Sequence, residues 1–184
     1  MGVGRHGDLF RHYREAGNPL SIKWGGTPAT VGGLTVSTTP GTVPFVMRCD
    51  QEAPLRLGLI GLGRHGSRYI RHIAEMPETK LVAVCRRTGT ATPSVGRDVR
   101  YYTDYRQLIQ NPEVNAVIVV TPPSINRDIC LAAVRAKKPL LIEKPLATSG
   151  DDAVAMVRAA RDAGVMLMTA QTLRFDPGVA ACQV

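Results

Sequence analysis

No two cysteines in this sequence are spaced as C-x-x-C. The four, Cys49, Cys85, Cys130 and Cys182, are scattered, and two of them fall inside strongly apolar segments. This excludes the common zinc-binding patterns and a disulfide framework, and predicts a reducing compartment. No apolar run approaches the ~18 residues that a membrane span requires. The N-terminus lacks the charged-then-apolar plan of a secretory signal. A cytoplasmic protein with neither a membrane nor a metal is expected. Dense basic runs are missing as well. The net charge is +8, but its tightest groups are only Arg86–Arg87, Lys137–Lys138 and the set Arg64, Arg68, Arg71. Without clustering or a binding motif such charge is solvated surface, and no nucleic-acid partner is expected.

What is present is the balance of a folded protein: 44% hydrophobic and 21% charged residues, in a chain of 184 that can bury one ordinary core. Residues 1–53 stand apart. Glycine and proline are frequent there, Gly25-Gly26 and Gly32-Gly33 interrupt it, and no helical or alternating period is sustained. We expect a flexible extension in which Leu34 to Thr38 alternates weakly as a lone strand. The alternative is that this stretch is not native coding sequence and that translation starts at Met47.

From Leu55 the pattern changes. Leu57-Gly58-Leu59-Ile60 is a short apolar run ending in glycine, as a buried parallel strand should be. A helical stretch follows with Tyr69, Ile70, Ile73 and Met76 on one face. Leu81 to Cys85, Val99 to Tyr102, Ala116 to Val120, Pro139 to Ile142 and Val165 to Thr169 read as further strands. Between them lie a helical turn from Tyr105 to Gln110, a helix capped by Ser124 with Ile125, Ile129, Ala132 and Ala136 inward, and a helix from Asp151 to Ala163 with Val154, Val157 and Ala160 inward. Strands alternating with helices give an α/β fold: a doubly wound parallel sheet of the Rossmann type over residues 54–171.

Gly61-Leu62-Gly63-Arg64-His65-Gly66 fits G-x-G-x-x-G, a weak pattern alone in a chain with 18 glycines. Its place between a buried strand and an amphipathic helix makes it a dinucleotide fingerprint. Gly61 would permit the tight turn, Gly63 the approach of a pyrophosphate, and Gly66 close packing of helix on strand. About 20 residues further on, NAD-binding folds carry an acid for the ribose 2′-hydroxyl. This chain has Arg86-Arg87-Thr88 there, two guanidiniums and a hydroxyl suited to a 2′-phosphate. The expected cofactor is NADP in preference to NAD. Thr121 and Pro122 end one strand at the carboxyl edge of the sheet, where ligands bind, and Glu143-Lys144-Pro145 ends the next.

Together these segments resemble the glucose-fructose oxidoreductase and inositol dehydrogenase family, the Gfo/Idh/MocA type. The likeness runs from Leu55 to Pro177 and takes in the glycine fingerprint, Tyr102-Thr103-Asp104-Tyr105, Val114 to Thr121, Glu143-Lys144-Pro145 and Arg174-Phe175-Asp176-Pro177. The resemblance implies an oxidoreductase that moves a hydride between a nicotinamide cofactor and a sugar, polyol or related hydroxy or keto compound. It implies that Lys144 is catalytic, polarising the substrate oxygen, and that Glu143 orients the lysine and lines the cofactor site.

Two departures stand out: Asn126 replaces a histidine and Arg86 replaces an acid. Family enzymes also continue into a second domain that supplies an Asp, a His and the dimer surface. Residues 172–184 read as the start of that domain, so a homo-oligomer is expected only for a full-length form. His65 and His72 are poorly placed to replace the missing base, and the chain alone is expected to bind cofactor but turn over poorly. The alternatives are a catalytically silent NAD(P)-binding regulatory module, and an S-adenosylmethionine methyltransferase, which Glu143-Lys144-Pro145 disfavours.

Overall fold

The computed structural model describes residues 30–31, 34–35, 54–87, 95–176 and 178–179. The chain divides into two units, Met1–Asp50 and Gln51–Val184. In the first, Thr30–Val31 (β1) and Leu34–Thr35 (β2) form a two-residue antiparallel ladder, so the expected lone strand has a partner. The extension's flexibility and a start at Met47 concern residues outside those described.

The second unit runs β3 (Leu55–Ile60), α1 (Arg64–Glu75), β4 (Thr79–Cys85), β5 (Arg100–Tyr102), α2 (Tyr105–Gln110), β6 (Ala116–Val119), α3 (Asn126–Arg135), β7 (Leu140–Glu143), α4 (Gly150–Asp162) and β8 (Leu167–Ala170). One six-stranded sheet takes the order β5-β4-β3-β6-β7-β8 with every neighbour parallel. Parallel neighbours need crossovers, and the strands alternate their side chains between two covered faces. Leu57, Leu59, Val84 and Ile118 pack on one face with Ile73 of α1. Ile60, Ala83, Cys85, Val117 and Val119 pack on the other with Leu108 of α2, Ile129 and Ala133 of α3, and Met156 and Ala160 of α4. Winding reverses between β3 and β6, which opens a crevice at their carboxyl ends.

Two helices turn differently from the expectation. Ser124 does not cap α3: it lies within a single 3-10 turn, Pro123–Ile125, and no side chain caps the helix. The inward residues of α3 are Ile129, Cys130, Ala133 and Val134, while Ile125 is exposed. In α4, Ser149 caps the helix through Asp152 N–H at 3.1 Å, and the helix buries Met156 and Ala160 while Val154 and Val157 face outward, 48% and 50% exposed. In α4 the small Ala160 and the flexible Met156 let the helix lie close on the sheet, so its packed stripe is not the one that carries Val154 and Val157.

Cys85 and Cys130 are buried, and burial pushes both thiols up to about 11, with Asp104 adding to the effect on Cys85. The folded state holds these protons more tightly than the unfolded chain. The stability this contributes is complete below the ordinary thiol value of 9.0 and is lost as pH climbs towards about 11. A variant with Cys49 and Cys182 changed to serine should therefore stay unreactive to Ellman's reagent at pH 8 until guanidinium unfolds it. Native labelling within minutes would contradict this burial.

Candidate functional site

The turn after β3 is built by its glycines. Gly61 has φ +104°, which side-chain-bearing residues rarely adopt, and its N–H donates to Cys85 O at 2.9 Å. A Cβ on Gly61 would lie 2.2 Å from Val120 O, and one on Gly66 would lie 2.1 Å from Gly61 O. These two glycines bring three backbone segments into contact. Gly63 differs. It is the N-cap of α1, its backbone is extended, and a Cβ there would meet nothing within 4 Å. No side chain caps α1 and its first turn holds no acid, so the helix's first N–H groups and positive dipole end face an open space. A helix start of this kind can receive an anion that approaches the main chain.

A cleft of about 240 Å³ lies at this point, lined by Gly63, Arg64, His65, Val120, Thr121, Glu143 and Lys144. Residues from the ends of β3, β6 and β7, far apart in sequence, meet there because the strands run parallel and adjacent. Tyr69 on α1 donates its hydroxyl to Glu143 Oε1 at 3.0 Å, and the Lys144 main-chain N–H donates to Glu143 Oε2 at 3.0 Å. Burial, followed by the charge of Glu143 and its hydrogen bond, raises the Tyr69 phenol above its ordinary range, so it remains a donor at all ordinary pH. Glu143 therefore holds the main chain at Lys144, and among the described ion pairs none joins its carboxylate to the Lys144 ammonium. Lys144 is exposed at the rim.

Thr121 donates its hydroxyl to Asn126 Oδ1 at 2.8 Å, and Asn126 Nδ2 donates to Pro145 O at 3.3 Å and Leu146 O at 3.1 Å. Asn126 is 1% exposed, so one buried amide ties the loop after β6 to the loop carrying Lys144. Of the other candidates, Leu62 is buried in the core and Pro122 is exposed before the 3-10 turn. Arg86 and Arg87 stand at the end of β4, outside that cleft's lining, with Arg86 N–H bonded to Tyr102 O at 3.0 Å. Thr88 lies outside the described residues. Tyr69 was readable only as a core residue, since its partner is 74 positions away. Asn126 did carry a signal, its departure from the family's histidine, but nothing that named its partners. Among the described residues no three His, Cys, Asp or Glu side chains gather as a metal site, and no helix is long and apolar enough to cross a membrane.

A family model described as the GFO_IDH_MocA oxidoreductase family, NAD-binding Rossmann fold, matches residues 55–171. The chain belongs to the Gfo/Idh/MocA oxidoreductase family. It is 29% identical over 133 residues to scyllo-inositol 2-dehydrogenase (NAD(+)) of Bacillus subtilis strain 168, covering 70% of this chain and 39% of that protein. Myo-inositol 2-dehydrogenase from Lactobacillus plantarum superposes with a TM-score of 0.64 at 26% identity, over 70% of this chain and 40% of that one. A 3-ketoreductase from Actinomadura kijaniata, solved as a mutant in complex with TDP-benzene and NADP, superposes with a TM-score of 0.62 at 26% identity, over 70% and 41%. This Gfo/Idh/MocA chain thus spans about two fifths of the length of the family members it matches.

Proposed function

We propose that residues 54–171 are the cofactor domain of a nicotinamide-dependent oxidoreductase acting on a sugar, polyol or related hydroxy or keto compound, and that residues 172–184 open a substrate domain. The observation that carries this is the shared cleft, with the uncapped start of α1 at Gly63 on one side and Lys144 on the other. Gly61, Leu62, Gly63, Arg64, His65 and Gly66 form the turn that would hold the diphosphate, with the free N–H groups at the start of α1 as its donors. The bound nicotinamide ring supplies hydride chemistry. Lys144 holds the substrate oxygen and stabilises charge developing on it. Glu143, with both oxygens engaged by Tyr69 and the Lys144 main chain, keeps that residue at the rim. Inositol dehydrogenases among the relatives favour a polyol.

Within this reading the cofactor is NADP before NAD, because Arg86, Arg87 and Thr88 follow the strand end where an acid would hold a 2′-hydroxyl. The NADP in the related ketoreductase's structure supports its use within the fold. The chain alone binds cofactor without ordinary turnover, the protein is cytoplasmic, and a full-length form is a homo-oligomer. Fluorescence titration with NADPH and NADH tests the cofactor assignment. Arg86→Asp should weaken NADPH by roughly 10- to 100-fold, as loss of a charge-assisted phosphate bond and gain of a repelling carboxylate imply, and leave NADH unchanged or tighter. Equal affinity of the unmodified chain for both would refute the preference, and turnover of a polyol panel at ordinary dehydrogenase rates would refute the inactivity.

A further inference from the structure

We infer that Asn126 is a positioning residue that sets the hydrogen-bond polarity of the site, fixing Thr121 as an acceptor toward the nicotinamide half of the dinucleotide. The inference rests on the cofactor reading above and adds to it the chemical character of one contact. Carbonyl oxygens only accept, so the two within reach of Asn126, those of Pro145 and Leu146, must both be served by its amide hydrogens. Asn126 has two such hydrogens and both are spent. Its Oδ1 is thereby turned to Thr121 Oγ1, 2.8 Å away. Two acceptors at that distance would repel, so the threonine hydroxyl must donate. At 1% exposure, Asn126 leaves no room for water to take over this bond.

A hydroxyl has one hydrogen. Once Thr121 gives it inward, only lone pairs remain for the cleft that it lines. An ionised phosphate also only accepts, so Thr121 is unsuited to either the diphosphate or a 2′-phosphate. What fits is a donor: a ribose hydroxyl or the carboxamide NH2 on the nicotinamide side, the side on which Lys144 stands. The same amide holds Pro145 and Leu146, which follow Lys144 directly, so one buried side chain aligns the acceptor and the lysine.

Isothermal titration of the 184-residue chain with NADP+ and with adenosine 2′,5′-bisphosphate, which lacks the nicotinamide mononucleotide half, tests this. Thr121→Val should raise the Kd for NADP+ by about 3- to 10-fold, as one net hydrogen bond implies, and leave the bisphosphate within about twofold. Thr121→Ser should restore the original value. Asn126→Ala should cost NADP+ binding to a similar extent, and the double variant Asn126→Ala/Thr121→Val should be no weaker than the weaker single variant. If Asn126→Ala does not fold by circular dichroism, the Thr121→Val and Thr121→Ser pair decides alone. The deamido analogue of NADP+, a carboxylate in place of the carboxamide, separates the two donors. If Thr121→Val leaves this analogue's affinity unchanged, the carboxamide is the partner, and if it weakens the analogue too, the ribose is. A Thr121→Val loss equal for NADP+ and the bisphosphate, or losses that multiply in the double variant, would overturn the inference alone. Failure of the unmodified chain to bind any of these ligands would overturn the cofactor reading and the inference together.

Discussion

Gly66→Ala should lower the thermal midpoint of this chain by roughly 10 °C, corresponding to a loss of ~3 kcal/mol or more, with Gly61→Ala at least as damaging. The new Cβ at position 66 would sit 2.1 Å from Gly61 O, a main-chain atom that cannot swing aside as a flexible side chain would. Gly61 is itself pinned: its N–H is bonded to Cys85 O at 2.9 Å, and Val120 N–H reaches Ile60 O beside it at 2.8 Å. Relief therefore requires α1 to lift from the sheet, which loosens the contacts of Ile73 with Leu57, Leu59 and Val84. Overpacking in a well-filled core usually costs ~1–3 kcal/mol, and a backbone clash at this distance belongs at or beyond the upper end. At Gly61 the Cβ would lie 2.2 Å from Val120 O, and φ +104° adds strain. Against a typical total of ~5–15 kcal/mol such losses are large. Denaturant or thermal melts of the two variants would show it, and midpoints within about 2 °C of the original would mean that the turn is far looser than its geometry.

Much of this was legible in the residues because it is local or periodic. Leu57 to Ile60, Leu81 to Cys85 and Ala116 to Val119 are apolar without a break because both faces of a parallel sheet are covered, and that continuity marks them as strands. The glycine turn was legible from its neighbours, a strand before and a helix after. The inner face of α4 was not, since an alanine or methionine against a sheet scores below a valine that faces outward, and in α3 the inward stripe of Ile129, Cys130, Ala133 and Val134 is offset from the spacing that Ile125 began. Nor were the contacts that organise the cleft. Tyr69 with Glu143, and Asn126 with Pro145 and Leu146, join residues that only the strand order brings together. A sequence shows that such polar groups exist but not which acceptor each one meets. Glu143 illustrates the gap: its neighbour Lys144 suggests an ion pair, and the carboxylate instead takes the lysine's main-chain N–H.

Gly63 should answer substitution in the opposite sense from Gly66, and Gly63→Asp separates fold from function most sharply. Its φ of −76° is open to any residue, and a Cβ there meets nothing within 4 Å, so the folded chain tolerates a side chain. Position 63 is also an N-cap that lacks a side-chain acceptor, at the start of a helix without an acid in its first turn. An aspartate there can accept from the free N–H groups and meets the positive end of the dipole, which should raise stability by ~0.5–1 kcal/mol. The same carboxylate would stand where the diphosphate must approach. Two like charges ~4 Å apart near a protein surface repel by roughly 4 kcal/mol, and the cap also consumes the N–H groups the phosphates need. Affinity for NADPH and NADH should fall at least ~100-fold while the melting temperature holds or rises. A stabilised variant that has lost both dinucleotides would locate the diphosphate at the start of α1. Undiminished binding would require the ligand to lie elsewhere, because the carboxylate at position 63 would both repel a phosphate at the start of α1 and occupy its free N–H groups.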